Sequence, residues 1–294
     1  MQRWVDMLAH ADLPVLARTA AELSRLRSND DRTNPQQVAD VVLHDPIMAV
    51  RVLQFLQRHR GLRRSADITT IAHALMMLGL SPFFRHFGEQ PVIEDRFAGN
   101  PVGLHGMLTV MSRARHAALY ARDWAQLRHD VDPEEVMVAA LLHDMAEMLL
   151  WCFAPVLAIE ITDRQRQDSA LRSDTAQRAV LGFRLIDLQL EMVRAWQLPE
   201  LLHALMDGRH ARNSRVLIVA QAVALARHAA HGWDNPALPY DYEMIGRLLG
   251  LSGEEAQQRV VGVAVAAAAE WEWYGIEPPA IASPLPMFEP ADLS

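Results

Sequence analysis

The sequence predicts an all-α protein, a two-lobed helical bundle. Apolar residues recur at the spacing of a helix face along most of the 294 residues, and no stretch shows the strict alternation of a half-buried strand. Clusters of helix-breaking residues at 88–91 and 98–101 mark a boundary near residue 100. We therefore expect an N-terminal helical lobe at 1–100, a helical bundle at 101–276 and a proline-rich, extended tail at 277–294.

Helix starts are marked by capping residues followed by proline or by acids. Asp132 precedes Pro133 and Glu135, so its side chain can accept the free N–H groups of the first turn, while proline takes a position that needs no N–H. Ser252 and Glu255 have the capping-box spacing. The predicted helices, in chain order, are 34–43, a helix from 46, 70–79, 103–126, 133–149, 174–188, 190–196, 199–206, 214–231 and 252–274.

Composition and charge narrow the function classes. The formal net charge is −8, from 28 basic and 36 acidic residues, so no overall positive field exists to attract nucleic acid or an anionic membrane. A local run of basic residues, Arg58, Arg60, Arg63 and Arg64, is typical of a solvated loop. Cys152 is the single cysteine, which suits a reducing cytoplasm. Since no signal peptide or membrane-length apolar run is visible, we expect a cytoplasmic protein.

The adjacent His143 and Asp144 are the strongest candidates for chemistry. They lie in the apolar stretch that contains Leu141 and Leu142, on the helix predicted from Pro133. An imidazole and a carboxylate are costly to bury unless something pairs or ligates them. The doublet could supply two ligands of a catalytic metal centre, or it could be the structural remnant of one.

Several short motifs appear in a specific order around this doublet. They are Leu13-Pro14, Asp45-Pro46, an Ala-x-x-x-Leu-Gly at 74–79, Leu-Leu-His-Asp at 141–144, Gly182 and Trp-Gln-Leu-Pro at 196–199. From about residue 13 to residue 210, the sequence resembles the HDOD family, the bacterial relatives of HD-domain phosphohydrolases that act as signalling output modules. The resemblance implies an HD-type helical fold and a regulatory role.

The sequence departs from that family where metal-type histidines are expected. Met111 lies in the helix before the doublet, and Leu185 lies shortly after Gly182. Arg209 precedes His210, where the family has a pair of histidines. Methionine and leucine do not ligate divalent ions at such a site, and an arginine would repel them. We therefore predict a vestigial doublet with no metal, no cofactor and no catalytic residue.

Two alternatives remain open at this stage. In the first, the doublet and a third histidine, His116 or His203, hold a metal ion and the protein is a phosphohydrolase or phosphodiesterase. In the second, the old cleft binds a small nucleotide, with Arg184 or Arg209 on phosphate and with His210 and His116 as further pocket residues.

The favoured interpretation is a non-catalytic regulatory module that binds protein partners. Trp271 and Trp273, at the end of the last predicted helix, either fasten that helix to the core or form a patch for a partner. The sequence names neither the partner nor the signal.

Overall fold

The structure, a computed structural model, contains seventeen α-helices within the residues it describes. The described residues are 1–29, 32–59, 69–168, 170–210 and 213–276. Their one strand-like feature is an isolated parallel bridge between Val15 and Val92, so the all-α prediction is confirmed. The predicted tail at 277–294 and the arginines at 60, 63 and 64 lie outside the described residues.

The first seven helices precede residue 100. They are α1 (Gln2–Leu8), α2 (Ala17–Ser28), α3 (Pro35–Val42), α4 (Pro46–His59), α5 (Ile71–Leu78), α6 (Leu80–Phe87) and α7 (Ile93–Arg96). Helices α2 to α6 pack mainly on one another, and α4 also contacts the bundle. Helix α1 instead packs against a helix of the bundle, α13 (Leu185–Ala195).

The bundle is organised around one long helix, α8 (Pro101–Leu127). It is followed by α9 (Pro133–Leu142), α10 (Met145–Phe153), α11 (Pro155–Gln167), α12 (Ser173–Leu181), α13, α14 (Glu200–Met206), α15 (Ser214–His228), α16 (Leu238–Leu249) and α17 (Gly253–Ala268). Helices α9, α10, α15 and α17 all pack against α8. One continuous hydrophobic core joins these helices to the N-terminal ones.

The predicted capping residues begin their helices as expected. The Asn34 side chain accepts the N–H of Gln37, whose own side chain accepts the N–H of Asn34 in return. The Asp132 carboxylate accepts the N–H groups of Glu134 and Glu135. Such caps satisfy N–H groups that have no partner within the helix, which explains why these starts could be located from the sequence.

The helix predicted over 133–149 is wrong in one respect, because it breaks at the doublet. Helix α9 ends at Leu142 and α10 begins at Met145, so His143 and Asp144 form the junction between two helices. The helices predicted at 174–188 and 190–196 are also divided differently. The break lies at Gly182, whose φ of 80° is in the left-handed region that favours glycine.

The most apolar stretch of the described residues lies in the centre of the bundle. Pro133–Phe153 is the single described stretch long and apolar enough to cross a membrane, and 83% of its most apolar window is buried within the protein. This stretch comprises α9, the doublet and α10. Its apolar character is therefore accounted for by the core against which it packs.

Candidate functional site

The junction between α9 and α10 is held by a side chain from a third helix. The Gln189 side chain, on α13, donates to the carbonyl oxygen of Leu142 at 2.8 Å and accepts the N–H of Ala146 at 2.8 Å. A helix end leaves backbone groups without partners, and burying them unpaired is costly. Gln189 is only 1% exposed, so water does not reach this junction. Its side chain satisfies both backbone groups instead, which allows the chain to turn at the doublet.

Two arginines hold the carboxylate that this turn presents. Arg227 of α15 donates from Nη2 to Oδ1 of Asp144, and its Nε lies 3.3 Å from Oδ2. Arg113 of α8 donates from Nη2 to Oδ2 at 2.9 Å, and the same nitrogen lies 2.6 Å from Glu147 Oε2. Both oxygens of Asp144, whose side chain is 4% exposed, are thus bound to guanidinium groups.

The two guanidinium groups keep this buried carboxylate ionised. Burial alone would raise the pKa of Asp144, but the adjacent charges of Arg227 and Arg113, together with the hydrogen bond from His143, hold that pKa well below its ordinary range. Burial alone would lower the pKa of Arg113, yet the Glu147 and Asp144 carboxylates raise it. Asp144 and Arg113 therefore both remain charged at neutral pH.

His143 faces the same carboxylate and borders a cavity. Its Nδ1 lies 3.1 Å from Asp144 Oδ1, and its side chain is 15% exposed. The cavity beside it has a volume of about 260 Å³, and its lining includes Asp144, Arg227, Arg184 and Leu185. The doublet is consequently reachable from solvent at the imidazole, while the carboxylate lies behind it.

The structure separates the residues that the sequence proposed as pocket residues. Arg184 lines the cavity beside the doublet. Arg209 lines a neighbouring cavity of about 520 Å³, which Arg184 also borders. His116 is buried on α8 with Nδ1 against the Ser112 carbonyl, and it lines neither cavity. The side chain of His210 is outside the described part of the structure.

The structure places two of the positions that depart from the family pattern differently. Met111 is fully buried on α8 and does not line the doublet cavity. Leu185 lines the doublet cavity. His203, the other histidine considered as a ligand, is buried on α14, and its Nδ1 lies 3.8 Å from Glu200 Oε1.

The residues around the doublet do not fit a divalent metal ion. Within the described residues, no group of three or more histidine, cysteine, aspartate or glutamate side chains is arranged to hold one. The carboxylate oxygens that would ligate the ion instead accept hydrogen bonds from Arg113 and Arg227. A divalent ion beside Asp144 would also be repelled by these two positive charges.

The comparison with protein families now identifies the chain. The family described as the HDOD domain matches residues 13–212, about two thirds of the 294 residues. The chain belongs to the HDOD domain family. Among curated protein sequences, none matches the chain.

Solved structures support the same fold for this HDOD protein. The MmoQ response regulator from Methylococcus capsulatus is 19% identical, with a TM-score of 0.63 over 86% of this chain and 99% of that chain. A virulence factor from Campylobacter jejuni is 15% identical, with a TM-score of 0.64 over 90% of this chain and 95% of that chain. At such identities the likeness shows the fold alone.

Sequence reasoning missed the groups that decide the chemistry of the doublet. Arg113 carried a signal, because an arginine two residues from Met111 in an apolar helix needs a buried partner. Arg227 carried none, since it lies 83 positions from Asp144 and beyond the HDOD match, which ends at residue 212. The second guanidinium is thus supplied by α15, a helix that follows the matched region.

Proposed function

We propose that this HDOD protein is a non-catalytic bacterial regulatory module that works in the cytoplasm by binding protein partners. The observation that carries the proposal is the pairing of both Asp144 oxygens with the guanidinium groups of Arg113 and Arg227. These guanidinium groups bind the carboxylate oxygens that a metal ion would need as ligands, and their positive charge would repel the ion. Hydrolysis of a phosphate ester at this doublet would require a metal-bound water, and the donor set does not favour one.

The cost of exchanging these arginines for an ion supports the same conclusion. Arg113 is 14% exposed at its side chain and is held by Glu147 as well as by Asp144. Removing one partner from a buried ion pair leaves an uncompensated charge, at a cost of about 3 kcal/mol or more. A metal ion in the doublet cavity would have to offset this cost.

A signalling role is supported by the family and by one of its structural neighbours. Membership of the HDOD family implies a signalling output module, and the neighbour from Methylococcus capsulatus is a response regulator. The match covers 99% of that solved chain. We extend this role to the present chain as part of the proposal.

The charge balance of the cavities favours a protein partner over a nucleotide. Arg184 donates to Asp187 from both Nε and Nη2, and Arg209 donates to Asp207. Arginines already paired with carboxylates attract a phosphate group weakly. The larger cavity is also lined by the apolar side chains of Ile186 and Leu190, and protein interfaces combine apolar with charged groups.

An activity assay tests the non-catalytic part of this proposal. We expect the purified chain, supplied with Mn²⁺, to hydrolyse bis(p-nitrophenyl) phosphate no faster than a His143→Ala variant does. The Arg227→Gln variant serves as a second control, because it removes one guanidinium while both doublet residues remain. A Mn²⁺-dependent rate in the wild type that His143→Ala abolishes would contradict the proposal.

Site-specific cross-linking tests the partner surface. A photoreactive amino acid replacing Leu190, in the wall of the larger cavity, is expected to cross-link to one defined protein in the cell of origin. Val156 is the matched control, because it is an exposed apolar residue on α11, 74% accessible, and lines neither cavity. Equal cross-linking from both positions, or none from position 190, would count against this surface.

A further inference from the structure

The last described residues of the chain return to the N-terminal helices. Residues 270–274, here called the C-terminal segment, follow α17 and include a short 3₁₀ turn, Trp271–Trp273. The sequence predicted that the last helix continues to 274, but it ends at Ala268. The side chains of the C-terminal segment contact residues from α2, from the turn between α3 and α4, and from α8.

The first anchor of the C-terminal segment is a carboxylate. Arg115 on α8 binds Glu270 through two hydrogen bonds, Nε to Oε2 at 2.8 Å and Nη2 to Oε1 at 3.0 Å. His44 adds its Nε2 at 3.2 Å from Oε2. Arg115 is only 6% exposed at its side chain. Two parallel hydrogen bonds from one guanidinium group match the planar geometry of a carboxylate, which makes the contact specific.

The second anchor is an indole ring. The ring of Trp273 stacks on the imidazole of His44, with centroids 4.1 Å apart and planes 20° apart. The guanidinium of Arg18 lies 5.4 Å from the indole centroid, within the range of a cation–π contact. The indole Nε1 donates to Thr19 Oγ1 at 3.4 Å. For Trp273, the structure therefore favours fastening to the core over an exposed patch.

The third anchor fixes the direction of the segment. The hydroxyl of Tyr274 donates to the carbonyl oxygen of His44 at 2.7 Å, and Tyr274 is 5% exposed. Arg18 donates to the backbone carbonyl of Glu272 at 3.0 Å. A carboxylate, an indole and a phenol thus follow one another along the chain, and all three contact His44.

We propose that Arg18, Thr19, His44 and Arg115 form a recognition site for a short acidic–aromatic protein segment, in which a carboxylate precedes a Trp-Tyr pair by three residues. The C-terminal segment occupies this site in cis, and a partner that carries the same pattern competes with it. Aromatic anchors beside arginines are typical of the residues that dominate protein–protein binding.

The location of the segment makes such an exchange possible. Glu272 is 66% exposed and Arg18 is 44% exposed at their side chains, so one edge of the contact lies at the protein surface, above the buried anchors Arg115 and Tyr274. The segment also lies outside the residues matched by the HDOD family, 13–212. This site is distinct from the doublet, and its test involves no metal, so the two proposals can fail separately.

A free peptide has to compete with the C-terminal segment, which is tethered beside the site. A ligand tethered through a short linker has an effective concentration on the order of millimolar, so a free peptide competes poorly with it. The probe is a fluorescein-labelled peptide of residues 268–276. In the full-length variant Trp273→Ala/Tyr274→Ala, we expect the peptide to bind at least about tenfold more tightly than in the wild type, as measured by fluorescence anisotropy.

Matched variants show whether the binding uses the named groups. Adding Arg115→Gln to the double variant is expected to weaken peptide binding about tenfold, as loss of a bidentate charge pair would. Adding Arg128→Gln, which pairs with Asp130 beyond the end of α8, is expected to leave it unchanged. A folded double variant that binds the peptide no better than the wild type overturns the proposal.

A second measurement avoids dependence on the folding of these variants. If the double variant does not fold, the unlabelled peptide is added at millimolar concentration to the wild-type chain. Displacement of the C-terminal segment is then expected to raise hydrogen exchange at residues 270–274 severalfold, with no rise in α8. Unchanged exchange at 270–274 overturns the proposal.

Discussion

Three His–Asp pairs lie between helices in the described part of the chain, and the two with a buried aspartate differ in what surrounds the carboxylate. His44 and Asp45 connect α3 to α4, and His143 and Asp144 connect α9 to α10. Asp45 is fully buried and its oxygens accept backbone N–H groups. Asp144 is buried as well, but its oxygens accept hydrogen bonds from guanidinium groups.

The first pair is a structural cap. Asp45 accepts the N–H groups of Ile47 and Met48 in the first turn of α4, both at 3.0 Å, and the N–H of Leu16 at 2.7 Å. Its histidine points away, toward Glu270. Asp45 thereby provides hydrogen-bond acceptors for the free N–H groups at the start of α4 and links this helix start to Leu16, the residue that precedes α2.

The second pair is an electrostatic centre beside a cavity. Asp144 makes no capping hydrogen bond to α10. The free backbone groups at the two helix ends are bound by the Gln189 side chain instead. The same dipeptide therefore serves two purposes, and the tertiary partners decide which one. A His–Asp doublet in a sequence identifies a family more securely than it identifies a reaction.

Removing the Asp144 carboxylate should have the largest effect. Asp144→Ala leaves Arg227 without its partner and leaves Arg113 with Glu147 alone, so we expect a loss of about 3 kcal/mol in the free energy of unfolding. Urea denaturation measures this loss. Asp174→Ala is the matched control, because Asp174 lines the same cavity but is exposed; its cost should stay below about 1 kcal/mol. Similar losses in both variants would contradict the account.

The two carboxylates should respond to pH in opposite directions. Burial raises the pKa of Asp45 to about 6, against the hydrogen bonds that lower it. The folded state then binds the proton more tightly than the unfolded state does, so the contribution of Asp45 falls as the pH rises from about 4 to about 6, by at most about 3 kcal/mol. The pKa of Asp144 is lowered, so its contribution is present above pH 4 and is lost as the pH falls further.

Asparagine variants separate these two contributions. Asp45→Asn is expected to remove the decline between pH 4 and pH 6, while Asp144→Asn is expected to remove part of the loss below pH 4. Unfolding curves recorded from pH 3 to pH 7 give both slopes. A wild-type decline between pH 4 and pH 6 that persists in Asp45→Asn would show that another group causes it.

A smaller effect is expected from the side chain that spans the second junction. Gln189→Ala leaves the carbonyl of Leu142 and the N–H of Ala146 buried without their partner, at a cost of about 2 kcal/mol. The loss should be confined to the second junction, so hydrogen exchange should increase at α10 and stay unchanged at the start of α4. An equal increase at both junctions would indicate general unfolding.

Local signals in the sequence located most helix starts but not the break at the doublet. Asp132 and Asn34 cap the helices that their spacing predicted, because the cap and the first turn are adjacent in the chain. The apolar stripe from Leu141 to Leu149 continues through the break, so periodicity could not reveal it. The break depends on Gln189, more than forty positions away.

The site was predictable only as far as its residues are close in sequence. His143 and Asp144 could be found as a buried pair, and the loss of ligands at Met111 and Leu185 could be inferred from the family resemblance. The partners of the carboxylate come from α8 and α15, which pack together only in the folded protein. Arg184 and Arg209 are predicted as pocket residues from their charge, but each is paired with a carboxylate two or three residues away in sequence, a pairing that the motif comparison overlooked.

The metal content of the chain tests the central claim most directly. Protein freed of chelator, incubated with Mn²⁺ or Zn²⁺ and dialysed, is measured by elemental analysis beside His143→Ala. If the guanidinium groups of Arg113 and Arg227 hold the Asp144 carboxylate, both proteins retain well under one ion per chain, and equally little. One or more ions per wild-type chain, lost in His143→Ala, would contradict the account.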